Sequence, residues 1–291
     1  MTPVTDAPAP LPRLLIEPVV RAALVEDLGR AGDITTMSVV PADARATGVI
    51  AARQAGVVAG LDCALMAFAL IDPSLRVEVH RPDGSRIAAG ERIATVSGLA
   101  RGILMAERVA LNFLCHLSGV ATATANLVEA VTGYRARITC TRKTTPGLRA
   151  LEKHAVRAGG GISHRFGLDD GVLIKDNHIA AAGGIRPAIE RARRAIGHMV
   201  KIEVEVESLV QLAEALAAGV DAVLLDNMVP AMLAEAVAMI GGRAISEASG
   251  RITRETVAAV AATGVDVISI GWITHSAPAL DLGLDWEPTP A

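Results

Sequence analysis

ITCTRKTTPGLRALEKHAVRAGGGISHRFGLDDGVLIKDNHI, Ile138 to Ile179, sets the pattern of the chain: two short apolar, strand-like runs, each ending in a burst of cations. Arg142, Lys143, Arg165 and Lys175 gather there. A cation at a strand end with a helix following is where an α/β barrel keeps its chemistry, because loops at that face aim several side chains at one ligand. That ligand is expected to be strongly anionic.

Outward from this stretch the rhythm repeats. Strands are predicted at Arg137 to Thr141, Val172 to Asp176, Lys201 to Val206, Ala222 to Asp226, Arg243 to Glu247 and Val265 to Ile270, six strand-helix beats in all. A spacing of roughly 20 to 35 residues suits a parallel sheet curled into an incomplete barrel, since right-handed crossovers leave few other arrangements. A doubly wound open sheet is the alternative, but no GxGxxG follows any strand. Before the barrel the pattern differs. Pro18 opens a short amphipathic helix that stops at Gly29, and GDITT follows as a loop. Ala46 to Ala59 reads as strand, Asp62 to Ile71 as an apolar helix, and VEVHRPDGSRIAAGERIATV as strands around a turn. The expected division is a loose leader over 1–15, an α+β domain over 16–118 joined by the tail 276–291, and the barrel over 119–275.

Composition narrows the function. The 291 residues are 51% hydrophobic but only 2% aromatic, so Ala, Val, Leu and Ile must fill the core, as in parallel sheets under helices. A net charge of -3 offers no general attraction to nucleic acid or to an anionic membrane. The cations above are therefore a local site, and neither nucleic acid nor membrane is expected as a partner. Cys63, Cys115 and Cys140 lack metal or disulfide spacing, which suits a reducing cytoplasm. The start has neither the basic nor the apolar segment of a signal peptide, and unbroken apolar runs such as Ala64 to Ile71 fall short of the ~20 residues a bilayer demands.

The strand ends carry the candidate chemistry. They are Arg142 and Lys143, Lys175 and Asp176, Glu205, Asp226 and Asn227, Glu247 and Ser249, and Gly271. In KIEVEVES the period of two places Glu203, Glu205 and Glu207 on one face and Val204 and Val206 on the other. Valines against helices put the glutamates toward the barrel axis, where cations such as Lys175 and Arg142 must oppose them. For Glu203 an internal salt-bridge network and a functional role stand level; Glu205 and Asp226 lie nearer the mouth. EASGRIT and SIGWIT follow late strands with small residues, a place where barrels hold phosphate. Between Gly159 and Gly161 a helix cap is expected, whereas His164 and Arg165 have no packing role. Asn177 and His178 either fix the lysine or cap the next helix. On the apolar helix from Arg101 to Val131, Arg108, Asn112 and His116 share one face, either solvent-facing or bordering a site or subunit boundary. No triad forms around His275 and Ser276 in sequence.

At TRKTTPGLRALEKHAVRAGGG, HRFGL and LIKDNHI the chain resembles the quinolinate phosphoribosyltransferases, the carboxylating nicotinate-nucleotide pyrophosphorylases. EDLGRAGDITT, ERVALNFLCHLSGVAT, EVEVES, LLDNM, EASG and THSAPALDLGLD follow in the family's order, so the match covers nearly the whole chain. The resemblance implies an N-terminal α+β sandwich, an incomplete TIM-like α/β barrel, and a homodimer or higher even oligomer. Arg108 would reach into the partner's site, while Arg142, His164 and Arg165 would hold quinolinate, with Thr141 beside them. Lys143 and Lys175 would face carboxylate and pyrophosphate oxygens. Glu205 and Asp226 would meet the ribose hydroxyls of phosphoribosyl pyrophosphate, directly or through magnesium. Ser249, Gly250 and Gly271 would cradle the 5'-phosphate, with Arg251 a further substrate-binding residue. Lys143, Lys175, Glu205 and Asp226 are the expected catalytic set, and Mg2+ the expected cofactor. Three positions depart from the family pattern: Ser163 for Asn, Arg251 for a second Gly, and Trp272 for a small residue.

Two other functions fit the same strand ends. One makes Lys175 the Schiff-base lysine of an aldolase or decarboxylase barrel, its amine exposed by a burial-depressed pKa. The other is a non-catalytic protein that binds a phosphorylated metabolite.

Overall fold

The computed structural model describes residues 8–287, so 1–7 of the predicted leader lies outside the described residues. Helix α1 (Arg13–Leu28) opens before Pro18, which lies inside it, and Gly29 closes it at φ 55°. The expected start at Pro18 is therefore too late: Pro12 precedes the helix, and a lone interior proline forfeits only one backbone bond. GDITT is also not a plain loop. Asp33 accepts from the Thr36 backbone N-H at 2.9 Å and so caps α2 (Ile34–Val39). The chain continues through β1 (Arg45–Ala52), β2 (Gly56–Val57), α3 (Leu61–Ile71), β3 (Arg76–Val79), β4 (Arg86–Ile87), β5 (Arg92–Leu99) and α4 (Ala100–Ala130). Then come β6 (Arg137–Thr139), α5 (Arg149–Ala158), β7 (Val172–Ile174), α6 (Asp176–Ala182), α7 (Ile185–Ala195), β8 (Ile202–Val206), α8 (Leu209–Ala218) and β9 (Ala222–Asp226). Last are α9 (Pro230–Ile240), β10 (Ile245–Ser249), α10 (Val257–Ala261), β11 (Val267–Ser269), α11 (Trp272–His275) and β12 (Leu282–Glu287).

Contacts group these elements into two compact units: one holds the described residues up to Ala125, Thr144–Gly160 and those from Ile273 on, the other Asn126–Lys143 and Gly161–Trp272. The first unit contains an antiparallel sheet in the order β12-β1-β5-β3 and the small pair β2-β4. Thr47 to Ala52 of β1 faces Glu287 to Leu282 of β12. Helix α5, which the strand-helix rhythm places in the barrel, groups with this unit instead. Its polar residues explain why. Glu152 is fully buried and accepts from the Thr145 backbone at 3.0 Å while meeting His116 Nε2 at 2.9 Å. His154 meets Asp83 at 3.0 Å, and Asp83 accepts from the backbone N-H groups of Gly60 and Leu61 where α3 begins. A buried carboxylate without such partners would cost several kcal/mol.

The second unit is a six-stranded sheet in the order β6-β11-β10-β9-β8-β7, all pairings parallel. No ladder joins β6 to β7 among the described residues; beside β6, Ile162 bridges Thr139 instead. This is the incomplete α/β barrel. Along β8 burial alternates, with Ile202, Val204 and Val206 at 2, 0 and 1% exposure. Each such side chain contributes about 1.5–3 kcal/mol by leaving water, which holds the intervening glutamates to the opposite face. β10 begins at Ile245 rather than at the expected Arg243, whose N-H is turned back to Ile240 O at 3.0 Å.

Helix α4 is long and apolar enough to cross a bilayer by length and composition, at a mean hydropathy of 1.3. A search for unbroken apolar runs overlooks it, because Ser, Thr and His interrupt the run. More than half of that segment, 56%, is buried inside the protein, as in a core helix.

Candidate active site

Paired residues in a parallel sheet point to the same side, so the register gathers the chemistry. Glu205 pairs with Leu224, Leu224 with Glu247, and Glu247 with Val267. Asp226 pairs with Ser249, and Ser269 with Thr139. Glu203, Glu205, Asp226, Glu247, Ser249, Ser269 and Thr139 therefore line one face of the sheet. Lys175 follows β7 and reaches this face, with Nζ 2.5 Å from Glu205 Oε2. Its side chain is 46% exposed. That exposure and the ion pair are the opposite of the apolar burial a Schiff-base lysine needs. His178 Nδ1 accepts from the Lys175 backbone N-H at 2.9 Å, so of the two roles open to it the histidine takes that of capping α6, with Lys175 as the N-cap residue.

Arg142 and Arg165 come together. Burial, followed by the charge of Arg142, moves Arg165 below the usual guanidinium range. Such crowding of like charges is tolerable where an anion is to be bound. Arg165 Nη1 donates to Gly171 O at 2.9 Å, and Asp170 ties the loop by accepting from the backbone N-H groups of Phe166 and Gly167. Thr141 serves the backbone: its Oγ1 accepts from the Lys143 N-H at 3.0 Å.

His164 lies deepest. Its Nε2 is 3.2 Å from Glu203 Oε2 and 3.4 Å from Glu247 Oε2, while Nδ1 accepts from the Arg165 backbone N-H at 2.8 Å. Burial opposes a charged ring, but the two carboxylates outweigh it and push His164 up to about 10. Burial likewise holds Glu203 above the usual carboxylate range, against the pull of His164. With Nδ1 accepting from the Arg165 backbone, the ring hydrogen that meets the two carboxylates is the one on Nε2.

The strand ends β9 and β10 form a tight junction. Asn227 and Arg251, at φ 52° and 49°, are the non-glycine residues with left-handed backbone among those described. Such backbone costs roughly 1–2 kcal/mol for a residue with a side chain, so glycine would be the less strained occupant of position 251. Gly250, at φ 105°, leaves no room: a Cβ there would lie 2.7 Å from Asn227 Cγ and 2.9 Å from its backbone nitrogen. Asn227 Nδ2 donates to Asp226 Oδ2 at 2.7 Å. Trp272 is braced against the same loop, its Nε1-H donating to Ile252 O at 3.0 Å. Both of these departures from the family pattern thus have defined places, Arg251 exposed and Trp272 holding the loop that follows Gly250. Gly271 directly precedes Trp272, where β11 gives way to α11.

Sequence reading left Glu203 undecided and gave Glu247 no role beyond a strand end. Ser269, buried with no hydrogen-bond partner for its hydroxyl, was not singled out. Inward spacing along the late strands was the available signal for both. Among the described residues of the first unit, Arg108 and Asn112 are exposed on α4. Asn112 and His116 border a cavity of about 310 Å³ with Glu26, Asp27 and Phe113. His275 Nδ1 meets Ser276 Oγ at 2.7 Å.

Comparison with known proteins agrees with this geometry. The family description "Quinolinate phosphoribosyl transferase, C-terminal domain" matches residues 120–285, and the corresponding N-terminal domain matches 33–118. A probable carboxylating nicotinate-nucleotide pyrophosphorylase of Bacillus subtilis is 45% identical over 261 residues, covering 90% of each chain. The carboxylating nicotinate-nucleotide pyrophosphorylase of Mycobacterium leprae is 46% identical over 274 residues, covering 91% of this chain and 95% of its own. The solved nicotinate-nucleotide pyrophosphorylase of Francisella tularensis superposes with a TM-score of 0.92 at 39% identity, over 97% of this chain and all of its own. The chain belongs to the quinolinate phosphoribosyl transferase family.

Proposed function

We propose that the protein transfers a phosphoribosyl group from phosphoribosyl pyrophosphate to quinolinate with loss of CO2, giving nicotinate mononucleotide and pyrophosphate for NAD synthesis. The observation that carries this reading is the crowded guanidinium of Arg165, which feels both Arg142 and Glu203, the latter on the barrel face that also carries the Lys175-Glu205 pair and Asp226. Planar forks suit two ring carboxylates, where lysine offers only a point charge. Arg142, Arg165 and His164 hold quinolinate; Lys143 and Lys175 face carboxylate and pyrophosphate oxygens. Glu205 and Asp226 meet the ribose, and their charge favours the cationic sugar formed as pyrophosphate leaves. The pyridine nitrogen attacks the anomeric carbon, and the quaternised ring then accepts the electron pair released when the adjacent carboxylate departs as CO2. Ser249, Gly250, Arg251 and Gly271 cradle the 5'-phosphate.

Magnesium belongs to the same reading. Glu205 and Asp226 come from adjacent strands of one face, and Mg2+ is usually held by one or two carboxylates together with substrate phosphates. When bound it would neutralise pyrophosphate charge. The assembly is a homodimer or higher even oligomer in which Arg108 completes the partner's site. Its exposure on α4 supports this, as does the apolar surface of α1 and α2, where Leu14, Val25, Ile34 and Val39 are 65 to 86% exposed. A cytoplasmic location fits three cysteines of which none forms a disulfide. Incubation with quinolinate, phosphoribosyl pyrophosphate and Mg2+ tests the function. Nicotinate mononucleotide, pyrophosphate and CO2 in equal amounts are expected; their absence from a folded, substrate-saturated sample would overturn it and leave a binding protein.

A further inference from the structure

We propose that Glu203 and Glu247 are positioning residues for this reaction: from β8 and β10 they clamp the Nε2-H of His164 and so set the loop that carries Arg165. The inference rests on the function proposed above and deepens its quinolinate site.

The geometry is that of a brace. In the sheet β9 separates β8 from β10, so His164 spans the inner face and meets a carboxylate from each side. The three side chains are 14, 14 and 6% exposed, for His164, Glu203 and Glu247 in that order. A single acceptor would suffice to orient one N-H. Burying a second carboxylate is costly, and Glu247 Oε1 has no hydrogen-bond partner at all. Such an expense is typical of groups held for function.

The other edge of the ring transmits the constraint. Nδ1 receives the backbone N-H of Arg165, so a rotation of the imidazole would displace the main chain that carries this guanidinium. Arg165 is itself fixed at Gly171 O and feels the charges of Arg142 and Glu203. In sum, two carboxylates hold one ring, and the ring holds the arginine that grips the dicarboxylate. The same three groups lie within 4.8 Å of one another, a spacing that would also suit a cation. The positive charge of Arg165 already bears on Glu203 and opposes a divalent cation there.

Kinetics on the full chain test the brace. Glu247→Ala should raise the quinolinate KM about tenfold, the effect of losing one strong positioned hydrogen bond, with the KM for phosphoribosyl pyrophosphate changed less than about threefold. Glu247→Gln keeps an acceptor oxygen and should recover most of the quinolinate affinity. Glu203→Ala and Glu203→Gln should repeat the pattern. A purely structural role would shift both KM values together. That result, an unchanged quinolinate KM in a folded alanine variant, or glutamine variants as impaired as alanine ones would each overturn the proposal. Independently of substrate and of any variant, 15N-histidine NMR of the wild type should show one protected, downfield Nε2-H from His164; an Nε2-H in rapid exchange with water would also overturn it. If the wild type shows no turnover, the proposed function falls, while this resonance still decides the clamp.

Discussion

Gly159 ends α5 with φ -77° and ψ 2°, a conformation that alanine adopts freely, so Gly159→Ala isolates a question of space. A Cβ at this position would lie 2.7 Å from Thr124 Cβ and closer still to the carbonyl oxygen of Ala121, both on α4. Carbon atoms rest at about 3.5–4.0 Å, so helix α4 and the end of α5 must separate by roughly 1 Å. Overpacking of this kind costs about 1–3 kcal/mol. Removing a glycine from the unfolded chain offsets ~0.4–1 kcal/mol of that. A net loss of about 1–2 kcal/mol should lower Tm by roughly 2–8 °C for a protein of this size. Gly197→Ala is the matched control, since a Cβ there meets nothing within 4 Å and the backbone is not left-handed. It should be neutral or slightly stabilising. Circular dichroism melts of both variants beside the wild type measure the difference. Gly159→Ala melting at or above the wild type would refute the close approach of the two helices.

Three further predictions concern the site and its surroundings. Arg142→Lys should weaken quinolinate binding by about 10- to 100-fold, the loss of a bidentate charge-assisted pair, and that of phosphoribosyl pyrophosphate much less; titration calorimetry giving an unchanged quinolinate Kd would remove Arg142 from the dicarboxylate site. Mixed Arg108→Ala and Arg142→Ala subunits should regain part of the wild-type activity, because one site in each heterodimer is then intact; no recovery in verified heterodimers would place Arg108 in its own chain's site. Burial pushes the Cys63 thiol up to about 12, with Asp83 and Asp62 adding to it. The fold therefore favours the neutral thiol, and this contribution is full below the ordinary value of 9.0 and lost as pH rises toward 12. At pH 8 Cys63 should resist thiol reagents in the native protein and react once urea unfolds it; prompt native labelling at Cys63 would contradict its burial.

Much of this site is legible in the sequence. In KIEVEVES the alternation that makes a strand also separates Glu203 and Glu205 from the buried valines, because successive side chains of one strand must point to opposite faces. Lys175 and Asp226 were legible as strand ends for the same local reason. Other features have no local signature. Glu152 in LEKH looks like an exposed helical charge, yet its burial depends on His116, 36 residues away in sequence. The helix that begins within GDITT depends on Asp33 reaching Thr36, and so turns on which of several polar residues takes the cap.

The sequence by itself determined the fold class, the order of its elements and the anionic character of the ligand, since periodicity, turn residues and cations at strand ends are properties of neighbouring residues. Only the tertiary structure decided that Glu203 and Glu247 meet on His164, that α5 groups with the first unit, and that Gly159 touches α4. Those contacts depend on which strands become neighbours in the sheet and how closely two helices approach. Such distances are set by packing between segments far apart in the chain, and no local pattern encodes them.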